Sequence, residues 1–109
     1  MRTLKSRQDF ERVFTQGKRY NHPLMRMVIC ASEDEGDPGR VAFVAAKRLG
    51  NAVWRNRSKR VLRVAAASLQ MPVTGYDIIL FATSKTSTAA PVELGAAAAS
   101  LLRRAKVHE

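Results

Sequence analysis

Apolar residues recur along the chain with two spacings, and the first of these predicts helices. Phe10, Val13 and Phe14 recur at three- and four-residue intervals, which places them on one face of a short helix. Ser6 is suited to cap the start of this helix, and Gly17 ends it. The chain therefore opens with an amphipathic helix that needs a partner for its aromatic face.

Shorter apolar runs predict the strands. Residues 24–31 and 40–46 are expected to pair as an antiparallel hairpin, because only a short loop with the acidic segment 33–37 separates them. Residues 18–20 form a short edge strand, and the nearly continuous apolar run 76–82 is typical of a buried strand. The remaining helices are predicted at residues 52–69 and from Pro91 onward, the latter with an apolar side of Leu94, Ala98, Leu101 and Ala105.

The order of these elements predicts the fold class. Helix, three strands, helix, strand and helix (αβββαβα) form an α/β sandwich with a small mixed sheet. The length of 109 residues and an apolar fraction of 46% predict one globular domain, residues 1–109. The strand 40–46, the helix 52–69 and the strand 76–82 make a β-α-β unit, for which the general rule is a right-handed crossover.

Positive charge is concentrated in one part of the chain. The formal net charge is +10, and no Asp or Glu occurs between Pro38 and Tyr76. Seven basic residues fall between Lys47 and Arg63. An unpaired cluster of like charges disfavours the compact state, so this concentration points to a polyanionic partner.

On a helical wheel, the helix at 52–69 separates into two halves. The apolar half is expected to dock on the sheet and contains Trp54, Ser58, Val61, Leu62, Ala65 and Leu69. The basic half is expected to face solvent and contains Arg55, Asn56, Arg57, Lys59, Arg60 and Arg63. Four of its five cations are arginines, which bind phosphates bidentately. Nucleic-acid binding is therefore favoured over binding to an anionic membrane surface, and no apolar run approaches the ~18 residues that span a membrane.

The segment from Lys47 to Arg63, KRLGNAVWRNRSKRVLR, resembles the signature of the ribonuclease P protein family. That signature is a basic pair, Gly-Asn-Ala-Val, Arg-Asn-Arg, Lys-Arg and a further Arg at fixed spacings. The opening helix and the strands on either side of the segment resemble the family as well. The similarity covers nearly the whole chain, although the C-terminal helix is generic and rich in alanine.

The resemblance implies a function. Proteins of this family bind a large catalytic RNA, and the complex removes the 5′ leader from precursor tRNA by endonucleolytic hydrolysis. The RNA supplies the active site and binds Mg²⁺, so the resemblance implies no catalytic side chain and no firmly held cofactor in this chain. It also implies a left-handed crossover, against the general rule. The residues expected to face the catalytic RNA are Lys47, Arg48, Asn51, Arg55, Asn56, Arg57, Lys59, Arg60 and Arg63.

The family also has a cleft between the first helix and the sheet, which receives the single-stranded leader. Phe10, Phe14 and Val28 match its positions, although periodicity alone favours ordinary core packing for the two rings. Family members often place an aromatic side chain at the position of Val28, and this strand has none. Met25 or Met27 would offer a softer surface if either faced the cleft.

Other kinds of chemistry find little support in the sequence. His22 and His108 have no Cys or carboxylate at ligand spacing, and Asp77 is expected at the start of a strand rather than at a metal. The single Cys30 is expected to pack as a small hydrophobe and fits a reducing cytoplasm. A ribosomal protein shares the size and charge and differs in the motif. A transcription factor is disfavoured because no second helix is joined to the basic one by a tight turn.

Overall fold

The structure, a computed structural model, describes residues 2–34 and 36–106, and its elements follow the predicted order. The helices are α1 (Arg7–Gln16), α2 (Ala52–Ser68) and α3 (Pro91–Arg104), and the strands are β1 (Lys18–His22), β2 (Met25–Ala31), β3 (Arg40–Val44) and β4 (Tyr76–Ala82). Two short 3-10 helices, Lys47–Leu49 and Thr86–Thr88, precede α2 and α3. The predicted αβββαβα order and the α/β sandwich are confirmed.

The four strands form one mixed sheet in the order β1-β2-β4-β3. β1 pairs with β2 and β2 pairs with β4 in antiparallel fashion, whereas β3 pairs with β4 in parallel. The predicted hairpin between β2 and β3 is wrong, because β4 lies between them. The physical reason is burial: β4 is apolar on both faces, and a central position between two strands covers both.

β3 and β4 are parallel neighbours joined by α2, which confirms the β-α-β unit. The left-handed sense expected for this crossover stays a prediction. The acidic segment between β2 and β3 is not a hairpin turn, and part of it contacts the body of the protein. Glu33 forms an ion pair with Arg12 at 2.9 Å, and Asp37 forms one with Arg2 at 3.5 Å.

Each face of the sheet has its own apolar core. On one face α2 and α3 cover the larger cluster, which includes Met25, Met27, Leu62, Ile78, Leu80, Leu94 and Leu101. On the other face α1 covers a smaller cluster of Leu4, Val13, Val28, Cys30, Ala42 and Ile79. The alternation of side chains along β2 and β4 divides the apolar residues between the two cores.

Local signals at the ends of α1 agree with the sequence. The Ser6 hydroxyl accepts a hydrogen bond from the Asp9 amide at 3.0 Å, as a helix N-cap does. Gly17 follows the helix, and a side chain there would collide with the Val13 carbonyl and with Cγ1 of Val28. The glycine therefore lets the end of α1 lie close against β2.

Candidate nucleic-acid interface

The first turn of α2 is held in place by two residues of the basic motif. The side chain of Asn51 accepts a hydrogen bond from the Trp54 amide at 2.9 Å and so caps the helix. A Cβ on Gly50 would lie 2.8 Å from the Trp54 ring, so only glycine permits this packing. Asn51, predicted to face RNA, therefore has a structural role as well, which is to start the helix that carries the cations.

The buried stripe of α2 contains Ser58, Leu62, Ala65 and Ala66. The docking side predicted from the wheel is thus correct, but it extends one position further, to Ala66. Ala66 lies about 20° from Arg55 around the helix, given 100° per residue. Arg55 and Lys59 consequently lie at the border of the buried side and are half-buried. Nε of Arg55 is buried, without a hydrogen-bond partner in the part of the chain that the structure describes.

The fully exposed side of α2 carries the remaining polar residues of the motif. We call it the arginine surface, and it consists of Asn56, Arg57, Arg60 and Arg63. The guanidinium of Arg63 lies 5.4 Å from the ring centroid of Phe43, a cation–π contact that fixes its direction. No Asp or Glu is present on α2 to neutralise these charges.

Two further cations of the motif lie just before α2. Lys47 and Arg48 belong to the 3-10 helix between β3 and α2, and both are exposed. They continue the positive charge of the arginine surface toward the end of β3. Bidentate arginines and mobile lysines on one exposed surface are suited to bind phosphates of a nucleic-acid backbone.

On the other face of the sheet lies a cleft of about 380 Å³ between α1 and strands β1, β2 and β4. We call it the aromatic cleft, and its lining includes Phe14, Arg19, Asn21, Arg26, Val28 and Phe81. The rings of Phe14 and Phe81 meet edge to face, with centroids 5.4 Å apart and planes at 74°. The Arg19 guanidinium lies 5.3 Å from the centroid of Phe14. Aromatic faces with cations beside them suit a single strand, since stacking tolerates any base and the cations neutralise phosphates.

The structure separates the two phenylalanines of α1. Phe14 is 41% exposed and lines the aromatic cleft. Phe10 is half-buried, packs against the smaller core and is not among the lining residues. Val28 belongs to that core and forms part of the cleft floor. Met25 and Met27 are buried in the larger core on the opposite face, so neither side chain replaces the missing aromatic.

An aromatic residue on β4 was missed in the sequence. Phe81 lies opposite Arg26 of β2 and two positions along β4 from Ile79, the partner of Val28. It therefore faces the cleft diagonally from the position where the family often has its aromatic. Alternation within β4 could have shown this, because Phe81 shares a face with Ile79 and Asp77.

Other candidates for chemistry are accounted for by packing. His22 accepts a hydrogen bond from the Leu24 amide at 3.1 Å, and Cys30 is a buried free thiol in the smaller core, as predicted. His108 lies outside the described residues. Within residues 2–34 and 36–106, no group of three or more His, Cys, Asp or Glu side chains is placed to hold a metal ion. No helix in those same ranges is long and apolar enough to cross a membrane.

Comparison with known proteins agrees with these two surfaces. A family model described as Ribonuclease P matches residues 1–106. A ribonuclease P protein component from Dehalococcoides mccartyi (strain CBDB1) is 32% identical over 104 residues, covering 95% of this chain and 84% of that protein. One from Gluconacetobacter diazotrophicus is 34% identical over 85 residues, covering 76% and 72%.

Solved structures give the same result for the fold. The RNase P protein of Staphylococcus aureus has a TM-score of 0.83 at 25% identity, covering 100% of this chain and 99% of that one. The RNase P protein of Thermotoga maritima has a TM-score of 0.78 at 24% identity, covering 95% and 97%.

A small basic α/β sandwich with a cation-rich helix on one face and an aromatic cleft on the other defines a class of RNA-binding protein. Within that class, the chain belongs to the ribonuclease P protein family. Members of the family are the protein subunits of ribonuclease P, an endoribonuclease of tRNA 5′ processing, and act together with the ribonuclease P RNA. The membership excludes the ribosomal and transcription-factor alternatives, and it fits a holoenzyme that depends on Mg²⁺.

Proposed function

We propose that this chain is a single RNA-binding domain, residues 1–109, that holds two RNAs on opposite faces of one sheet. The arginine surface of α2, with Lys47 and Arg48, binds the catalytic RNA. The aromatic cleft binds the single-stranded 5′ leader of precursor tRNA. The observation that carries this proposal is the separation of the two surfaces, since α2 covers the larger core and α1 with the cleft covers the smaller one.

Residues of the motif contribute to the first surface in different ways. Arg57, Arg60, Arg63 and Asn56 are exposed and contact phosphates or bases directly. Arg55 and Lys59 border the buried side and reach the RNA along the edge of the helix, where the buried Nε of Arg55 orients its guanidinium. Asn51 acts by capping α2. All nine predicted residues thus serve one surface, although not all through contact.

The leader is bound by Phe14 and Phe81 with Val28 as the floor between them, and Phe10 supports α1 from below. Arg19 and Arg26 supply the positive charge beside the rings. Phe81 compensates for the aliphatic Val28 because it offers a ring on the neighbouring strand. The leader sequence is not read, because stacking on rings is tolerant of base identity.

Chemistry belongs to the RNA subunit, which binds the Mg²⁺ ions, and the protein contributes affinity and charge neutralisation. We place this work in the cytoplasm, where an unpaired thiol such as Cys30 stays reduced.

Highly purified protein without RNA is expected not to cleave precursor tRNA. Added to its ribonuclease P RNA, it should lower the Mg²⁺ concentration needed for half-maximal cleavage, because its cations offset repulsion between phosphates. The measurement is 5′ leader release against Mg²⁺ concentration with and without protein. Cleavage by protein freed of RNA, or an unchanged Mg²⁺ requirement, would contradict the proposed function.

Phe14→Ala should weaken capture of precursor tRNA by about 1–3 kcal/mol, since a stacked base loses its ring. The loss should appear with a leader of several nucleotides and vanish with mature tRNA. Affinity for the catalytic RNA should stay unchanged. The measurement is binding of long-leader, one-nucleotide-leader and mature tRNA to the reconstituted holoenzyme.

Phe10→Ala is the matched control on the same helix. It removes a half-buried ring from the smaller core, so it should lower the free energy of unfolding by up to about 3 kcal/mol. In protein that remains folded, the preference for a long leader should survive. If Phe14→Ala weakens all three substrates equally, the ring is a scaffold residue and the cleft does not bind the leader.

A further inference from the structure

One carboxylate lies under α1 in an unusual setting. Asp77, at the second position of β4, is fully buried, and it is the one buried charged residue of the described ranges. Its Oδ2 accepts hydrogen bonds from two guanidinium groups, those of Arg12 on α1 and of Arg40 on β3, the latter at 3.1 Å. A buried carboxylate is tolerated only with such partners, because it has lost its hydration.

The pairing continues from Asp77 back to α1. Arg40 donates to both carboxylate oxygens of Asp9, at 2.8 and 3.3 Å. Arg12 also pairs through Nε with Glu33 at 2.9 Å and donates to the Ala31 carbonyl at 3.2 Å. We call Asp9, Arg12, Arg40 and Asp77 the α1 ion-pair network. It attaches α1 at two points, one turn apart, to β3 and β4.

The charge states within the network reinforce each other. Hydrogen bonds from Ser6 and then from Arg40 hold the pKa of Asp9 below its usual value, so it is ionised at neutral pH. The bond to Asp77 raises the pKa of Arg40, which stays protonated. The network is therefore fully charged under the conditions in which RNA is bound.

The apolar seat of α1 is narrow. Val13 is its one buried residue, with Phe10 half-buried beside it. Around the helix, Arg12 and Asp9 lie about 100° and 40° to one side of Val13, while Phe10 and Phe14 lie about 60° and 100° to the other side. A rotation of α1 about its axis that lifts Arg12 from Asp77 would therefore press Phe14 toward the sheet, and the reverse rotation would lift it away. With so narrow a seat, the network sets the rotation and hence the width of the aromatic cleft.

We propose that the α1 ion-pair network is a positioning device for leader capture: Asp77, through Arg12 and Arg40, fixes the rotation of α1 that sets Phe14 against Phe81. This inference rests on the proposed leader-binding function of the aromatic cleft. Buried ion pairs are often replaceable by apolar residues without loss of stability, so orientation is the better physical account of their presence here. The four residues are positioning residues and touch no RNA themselves.

Arg12→Met tests the inference, because it retains an apolar stem of similar length and removes the link from α1 to Asp77. Asp77 keeps Arg40 as its partner, so the carboxylate is not left alone. The reconstituted holoenzyme should lose affinity for long-leader precursor tRNA by roughly three- to a hundredfold, the usual range of coupling between contacting groups. Affinity for mature tRNA and for the catalytic RNA should not change.

The deciding readout is a double-mutant cycle with Phe14→Ala. If the network acts through Phe14, the double variant should lose no more leader affinity than Phe14→Ala alone. Arg7→Met is the matched control, since Arg7 is on the same helix and pairs only with Glu11 in an exposed i, i+4 contact among the described residues. It should retain leader affinity within about twofold, as expected for an exposed ion pair. Arg12→Lys, which keeps the charge beside Asp77, should restore part of the affinity.

The possible failures are distinguishable. If Phe14→Ala shows no leader-dependent loss, the proposed function itself is wrong and this inference falls with it. If Phe14→Ala shows that loss while Arg12→Met does not, or if the two losses add, only the positioning role is overturned. Should Arg12→Met fail to fold, Asp9→Asn at the rim of the network provides the same test, and it should show the same non-additivity with a smaller loss.

Discussion

Leu62→Asp is expected to abolish the folded state. Leu62 is fully buried between α2 and the sheet, in the larger core. Loss of a buried leucine side chain costs about 2–5 kcal/mol, and an unpaired buried carboxylate adds several more. The sum reaches or exceeds the roughly 5–15 kcal/mol by which a domain is stable. Circular dichroism should show loss of the cooperative thermal transition.

Val64→Asp is the control for this substitution. It places the same carboxylate on the same helix, but Val64 is 57% exposed. Its free energy of unfolding should change by about 0.5 kcal/mol or less. If both variants unfold, α2 is intolerant of any added acid. If neither unfolds, Leu62 is not in the core that the structure describes.

The second large effect is expected from the triple variant Arg57→Ala, Arg60→Ala and Arg63→Ala. These are the three fully exposed arginines of α2, and none forms an ion pair in the described part of the chain. If each neutralises about one phosphate, the slope of log K against log salt for the catalytic RNA should become shallower by about two to three units. The fold should persist, because no buried contact is removed. Binding is measured over a series of salt concentrations.

A charge-matched variant separates a specific surface from a general effect of net charge. Lys5, Lys85 and Arg103 are exposed and lie outside α2 and the aromatic cleft. Their joint replacement by Ala removes the same charge and should change the slope by less than one unit. Equal changes in the two triple variants would mean that the RNA responds to the total charge of the protein, and the arginine surface would lose its assigned role.

The helices could be predicted in detail because their signals are local. The Ser6 cap and the Gly17 end of α1 fall where expected, and α2 covers Ala52–Ser68 against the predicted 52–69. Its wheel gave the docking side within about one residue. The half-buried position of Arg55 was not foreseen, because the width of the buried stripe depends on how closely the sheet approaches.

The sheet could be predicted only in part. The boundaries of β4 agree with the apolar run 76–82, but the partner of each strand does not follow from such runs. Alternation gives the face on which a side chain lies, not the strand beside it. The wrong β2–β3 hairpin and the unrecognised Phe81 have this same cause, since both depend on β4 lying beside β2.

The sequence by itself determined the α/β class, the ends of the helices, the cation-rich face of α2 and, through its motif, the ribonuclease P protein family. These properties follow from residue type and from spacings shorter than one element. Tertiary structure alone decided that Phe14 and Phe81 share a cleft while Phe10 packs beneath α1, and that Asp77 lies buried between Arg12 and Arg40. Each of these depends on contacts between residues 28 to 67 positions apart in the chain, where periodicity carries no information and only the packing of whole elements against one another brings the side chains together.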